Sequence, residues 1–229
     1  MNDVLGQAIW DYYDSDKESI LWVHDVIGPK VEMPTAIYFR DYHEMPELEQ
    51  IALMQCYGNV LDIGAGAGSH AIALEMRGLE VDALDISPLA VKTMQSRGAD
   101  HAICGDAFLY QDGPYDTILM LMNGIGFCAT IAGLEQFLEH AKTLLKPDGQ
   151  LIFDSSDVAY LYEEGIPKPD HYYGEIKCRY EYEGKYTDWF YWLYVDRELL
   201  NEKAANAGYK MHIITEDESG QFLVKLQLK

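Results

Sequence analysis

The chain has 229 residues, 48% of them hydrophobic and 24% charged, which suits one α/β-sized globular domain and excludes a disordered or fibrous chain. Lys plus Arg number 17 against 38 Asp plus Glu, a formal charge of −21, and no local basic patch offsets it, so a phosphate backbone is a poor partner. No apolar run approaches the ~18 residues of a bilayer span, and the acidic N-terminus lacks the basic flank and apolar stretch of a signal peptide; the expectation is a cytoplasmic protein with a small-molecule substrate. In chain order, residues 1–50 read as one or two helices broken near Gly28-Pro29 and Met33-Pro34. They carry Trp10, Tyr12, Tyr13, Trp22, Tyr38 and Tyr42, too many aromatics for a loose tail, and form a helical flank or lid. Residues 51–157 are the core, in which strands and helices alternate. Strands are expected at 59–63, 80–84, 102–104, 117–122 and 150–153, with helices at 69–77, 88–97 and 134–145 between them. Ser87 reads as an N-cap with Pro88 at the first helical position. Such alternation implies a parallel sheet with right-handed crossovers. Residues 158–195 form an aromatic-rich insertion, read as a long antiparallel hairpin of 175–183 and 185–195 around Gly184. Residues 196–229 supply a final helix, at 196–207, and a strand pair.

The four cysteines, Cys56, Cys104, Cys128 and Cys178, form no CxxC pair, and all are expected to be buried reduced thiols. No His spacing suggests a metal site.

The chemistry concentrates at Asp62-Ile63-Gly64-Ala65-Gly66-Ala67-Gly68-Ser69, where a strand ends, a glycine turn follows and a helix begins. Glycines permit the sharp turn and let a ligand approach bare backbone. The helix N-terminus offers free N–H groups. Asp85, twenty-one residues after Gly64, ends the second core strand, where an acid can take both ribose hydroxyls of an adenosine. Alone, this pattern is compatible with NAD. The third glycine, however, arrives one residue early for the dinucleotide fingerprint, giving GxGxG instead of GxGxxG.

GxGxG led by Asp62 resembles the cofactor motif of class I S-adenosylmethionine (SAM)-dependent methyltransferases. Four further segments resemble that family in order and spacing: Asp85-Ile86-Ser87-Pro88, Gly105-Asp106-Ala107-Phe108, Tyr115-Asp116-Thr117-Ile118-Leu119, and Leu144 through Leu151. The resemblance implies a Rossmann-like α/β fold, a seven-stranded mostly parallel sheet with helices on both faces. It implies SAM as cofactor and S-adenosylhomocysteine (SAH) as product. By the same resemblance Asp62 steadies the loop and the methionine end, with Gly64, Ala65, Gly66 and Gly68 in the turn and His70 beside it. Asp85 holds the ribose, Ile86 packs on the adenine, and Asp106 with Ala107 meets the adenine amino group. Met122 and Arg40 are further candidates, Arg40 either for a carboxylate of SAM or substrate or for a surface ion pair.

Methyl transfer needs alignment and desolvation, and a base only when the nucleophile arrives protonated. Acceptor groups are expected beyond the fourth and fifth core strands. Asn123 and Asp154 are the catalytic candidates there: Asn123 to orient an amine or hydroxyl or to cap a turn, Asp154 as base, cation site or loop acceptor. The acceptor is read as a small molecule methylated at N or O. A protein or RNA acceptor and a non-catalytic SAM-binding role are the alternatives, and an NAD(P) oxidoreductase is disfavoured by GxGxG.

Overall fold

A computed structural model describes residues 3–15, 20–163, 165–218 and 220–229. The chain opens with helix α1 (Val4–Ser15), then strands β1 (Ile20–Asp25) and β2 (Val31–Pro34), a 3-10 turn (Thr35–Phe39) and α2 (Glu47–Gln55). The core follows as β3 (Asn59–Ile63), α3 (Ser69–Glu75), β4 (Glu80–Asp85), α4 (Pro88–Arg97), β5 (His101–Cys104) and β6 (Tyr115–Met120). A 3-10 turn (Gly124–Cys128) leads to α5 (Ile131–Leu144) and β7 (Leu145–Ser156). The remainder is β8 (Glu175–Tyr182), β9 (Lys185–Tyr186), β10 (Phe190–Leu193), α6 (Arg197–Asn206), β11 (Tyr209–Glu216) and β12 (Gln221–Leu228).

The main sheet has seven strands in the order β11-β12-β7-β6-β3-β4-β5. Its β7-to-β5 part is parallel, and β12 and β11 close it antiparallel. This is the expected Rossmann-like architecture. Alternate residues of each strand feed two cores. Leu61, Ile63, Ile118 and Phe153 join α5 and α6 on one face, whereas Val60, Leu119 and Ile152 join α2, α3 and α4 on the other. Local capping agrees with the sequence: Ser87 Oγ accepts from the Ala90 amide and Asp196 from Glu198 and Leu199.

Two expectations need correction. The flank is only partly helical, because residues 20–34 fold as the β1–β2 hairpin. Gly28-Pro29, read as a helix break, lies between the two strands, where Asp25 Oδ1 accepts the Ile27 and Gly28 amides. The insertion forms the expected antiparallel hairpin, β8 pairing with β9 and β10; on its other side β8 also pairs with β1, giving a second, five-stranded sheet in the order β10-β8-β1-β2 with β9 beside β8. Flank and insertion thus form one layer. It docks on the turn after β6, where Trp192 of β10 lies against Gly126 so closely that a Cβ there would clash with its indole. Cys56, Cys128 and Cys178 are buried as expected, but Cys104, at the exposed end of edge strand β5, is not.

Candidate functional site

The C-terminal edge of the parallel strands gathers the chemistry. The loop after β3 holds Gly64, Gly66 and Gly68 at φ of 74°, 58° and 83°, left-handed values that a branched side chain resists. Gly64 and Ala65 donate their amides to Leu84 O at 2.8 and 3.2 Å, fastening the loop to β4. Asp85, at the end of β4, accepts the Gly66 amide at 2.9 Å and the Ser87 amide at 2.8 Å. Its carboxylate is thereby aimed along the loop. Asp3, ahead of α1, accepts from Ser87 Oγ at 2.7 Å and adds a second negative charge nearby. Burial pushes the Asp85 carboxyl up to about 6, against the opposing pull of the amides it accepts.

Asp62 is 1% exposed, and its Oδ2 has no partner among the described residues. Burial raises its carboxyl to about 6, although the neighbouring His70 draws it down. Two apolar residues beyond β4 and β5 are open: Ile86 is 65% exposed and Leu109 74%, which leaves apolar surface able to take a flat ring. Asp106 uses Oδ1 to accept the Phe108 amide at 2.9 Å, and Ala107 is buried behind it.

Arg40 and His70 meet on a residue the sequence did not single out. Glu49, 6% exposed at the start of α2, accepts two bonds from the Arg40 guanidinium, at 2.7 and 3.0 Å, and one from His70 Nε2 at 2.8 Å. Despite a burial penalty that raises it, the His70 and Arg40 contacts carry the Glu49 carboxyl below its usual range. Burial lowers His70, but Glu49 and Asp62 more than offset that and raise it. The Arg40 pair is thus an inner one, not a loose surface bridge. Only the acidic start of a helix, Glu47-Leu48-Glu49 after Pro46, marked this place in the sequence.

Tyr38 covers the glycine loop: its ring lies 3.2 Å from where a Gly66 Cβ would stand. Its carbonyl accepts from Ser69 Oγ at 2.7 Å, and Arg97 donates to Ala67 O at 2.6 Å and reaches Phe39 O at 3.5 Å. The segment before α2 is therefore fastened to both α3 and α4.

Beyond β6, Met122 and Asn123 adopt φ of 60° and 54°, an uncommon pair of non-glycine left-handed residues. Asn123 donates its amide to Asp154 Oδ2 at 2.8 Å and its Nδ2 to Leu193 O at 3.1 Å. Asp154, 0% exposed near the end of β7, also accepts from Gln221 of β12 at 2.7 Å. Gln221 was not foreseen, although a polar residue opening the apolar run of β12 was a signal. Asp154 Oδ1 and Asn123 Oδ1 are both buried without a partner among the described residues. Burial pushes the Asp154 carboxyl up to about 6.

Residues 60–149 match the family model for a methyltransferase domain. The chain is 40% identical to a SAM-dependent methyltransferase from Bacteroides fragilis solved with SAH, over 99% of this chain and 94% of that one, with a TM-score of 0.92. This chain belongs to the SAM-dependent methyltransferases. SAM is its cofactor and SAH the product. The SAM-bound amino pentose methyltransferase CalS10 from Micromonospora echinaspora shares the fold at 15% identity, with 83% of this chain, 92% of that one and a TM-score of 0.58. Among curated proteins, the ribosomal protein L11 methyltransferase of Thermosynechococcus vestitus is 32% identical over 96 residues. That match takes in 41% of this chain and 32% of the relative's length. The orphaned Asp62 oxygen, the Asp85 carboxylate and the open apolar surface at Ile86 are suited to a ligand carrying an ammonium, a ribose and an adenine. No helix among the described residues is long and apolar enough to cross a membrane.

Proposed function

We propose that this methyltransferase acts on a small molecule, at N or O, with SAM lying along the sheet edge from β5 to β3. The adenine meets Ile86, Asp106 and Ala107, and the ribose hydroxyls go to Asp85. The methionine end runs over Gly64–Gly68 toward Asp62, His70 and Arg40, and Met122 flanks the transferred methyl. The second sheet supports the small-molecule reading most directly: β10 hangs over the turn after β6, and the acceptor-side residues Asn123 and Asp154 are 8% and 0% exposed. A covered acceptor site admits a small molecule more readily than a folded protein. The charge of −21 speaks against nucleic acid, and the same composition suits the cytoplasm. Methyl transfer itself breaks the carbon–sulfur bond in line with the attacking atom; the protein's part is to align the two and exclude water.

A protein acceptor is the second reading, suggested by the partial match to a ribosomal protein L11 methyltransferase. Turnover of methyl-tritiated SAM against metabolite extract, and separately against the macromolecular fraction, tests the proposal. Label in small molecules is the expected result; label confined to protein or RNA overturns it.

A further inference from the structure

The parity of the main sheet puts two carboxylates, each with one oxygen unpartnered among the described residues, on one face. Leu119 of β6 is in register with both Asp62 of β3 and Ile152 of β7. Asp154 lies two residues beyond Ile152, so it faces the same side as Asp62. Two strand spacings and two residue rises separate them by roughly 12 Å. One ligand ammonium therefore cannot answer both. If Asp62, beside the glycine loop, belongs to the cofactor, the second pair of orphans, Asp154 Oδ1 and Asn123 Oδ1, remains to be answered.

Those two oxygens define the missing group. The orientation of the Asn123 amide is fixed by its Nδ2 bond to Leu193 O, so its free atom is the acceptor. The sulfonium of SAM has no N–H and satisfies neither oxygen. A hydroxyl brings one proton for two acceptors. An ammonium brings three, and its charge suits a buried carboxylate. Among the described residues no Lys or Arg pairs with Asp154: its carboxylate accepts from the Asn123 and its own backbone amides and from Gln221, and the charge that acts on it is another acid, Glu49. Just past β7 an open cleft is lined by Asp157, Asp196, Glu198 and Glu216 against one cation, Arg197, which pairs with Glu216, so the cleft keeps a net acidic field at this end of the sheet.

We infer that the methyl acceptor is an amine, held as its ammonium by Asp154 and Asn123. The inference rests on the small-molecule reading and narrows it from N or O to nitrogen. In the reaction the ammonium gives one proton to the Asp154 carboxylate. The freed nitrogen lone pair attacks the methyl carbon as the C–S bond breaks and its electron pair returns to sulfur. SAH, the methylated ammonium and a protonated Asp154 result. A carboxyl lifted by burial is a better base for that proton than an exposed one.

The test uses two bisubstrate probes: adenosine analogues with nitrogen in place of the sulfur, bearing a short arm that ends in ammonium in one and in hydroxyl in the other. With the wild-type protein the ammonium arm is expected to bind at least tenfold more tightly than the hydroxyl arm. Asp154→Asn should erase that preference while SAM and SAH affinities stay within about twofold. Equal affinities, or a preference for hydroxyl, overturn the inference; turnover of a small hydroxylic acceptor would still leave the broader proposal standing. A preference retained in Asp154→Asn removes Asp154 from the role. Should that variant fail to fold, Asn123→Ser replaces it, with the preference expected to fall, and the wild-type comparison alone can still refute the amine.

Discussion

In the proposed site, Asp85 is the residue on which cofactor recognition turns. It presents a half-buried carboxylate already ordered by the Gly66 and Ser87 amides, so in that arrangement ribose hydroxyls would meet a preorganised, charged acceptor. Asp85→Ala is expected to weaken SAM by about 2 kcal/mol, roughly thirtyfold, by calorimetry; unchanged affinity would remove Asp85 from the ribose site. The pH dependence follows from three acids. Burial lifts Asp62, Asp85 and Asp154 to about 6 each. An acid raised above its unfolded value near 3.9 gives stability that is present below that value and lost as pH rises through the folded one. Ligand-free protein thus carries a growing penalty between about pH 4 and 6. Cationic SAM favours the ionised forms and relieves it. The gain in melting temperature on adding SAM should be larger near pH 7.5 than near pH 5, and a gain that is equal or larger in acid would contradict the assignment. The placement of Asp62, Asp85 and Asp106 at strand ends was legible because motif spacing tied them there. Glu49 and Gln221 were not, since their importance lies in contacts with Arg40, His70 and Asp154 across 9, 21 and 67 residues of chain. Glu49→Gln strips the buried Arg40 and His70 of their counter-charge and should cost about 3 kcal/mol in a denaturant titration. A cost under about 0.5 kcal/mol, the size of an exposed pair, would mean the network is not held as described.

Among the elements, the loop between β3 and α3 and the layer above it set the site's shape. Gly66 combines a φ of 58° with the Tyr38 ring 3.2 Å from any added Cβ. Gly66→Val should therefore abolish SAM binding while far-UV circular dichroism stays native; normal binding would move the cofactor off this loop. The segment around Tyr38–His43 was expected as a lid that orders on cofactor binding. Its bonds to Ser69 and Arg97 favour a brace. Hydrogen exchange should find the 38–40 amides equally protected with and without SAH, and protection that appears only with SAH would restore the lid. The core strands and helices were readable because each had its own glycine stop, cap or apolar run. The second sheet was not. Which strand pairs with β1 is decided by a partner, β8, lying some 150 residues away, and alternation within β1 alone does not name it. Hence Trp22, Val23 and the Gly28-Pro29 turn looked like parts of a broken helix.

At the scale of the whole molecule, the proposed functions lie in a line across one edge. Strand order β7-β6-β3-β4-β5 runs, in the proposed arrangement, from acceptor through methyl and methionine to ribose and adenine. The acidity of −21 has a local counterpart in the buried acids on this edge, consistent with a cationic cofactor and a cationic acceptor arriving at the same place. A crystal structure of the SAH complex tests this arrangement most directly. The account predicts the ribose hydroxyls on Asp85, the adenine against Ile86, and the sulfur over β6 with its open side toward Asp154. SAH bound with its ribose away from Asp85, or with its sulfur turned from Asp154 and Asn123, would contradict it.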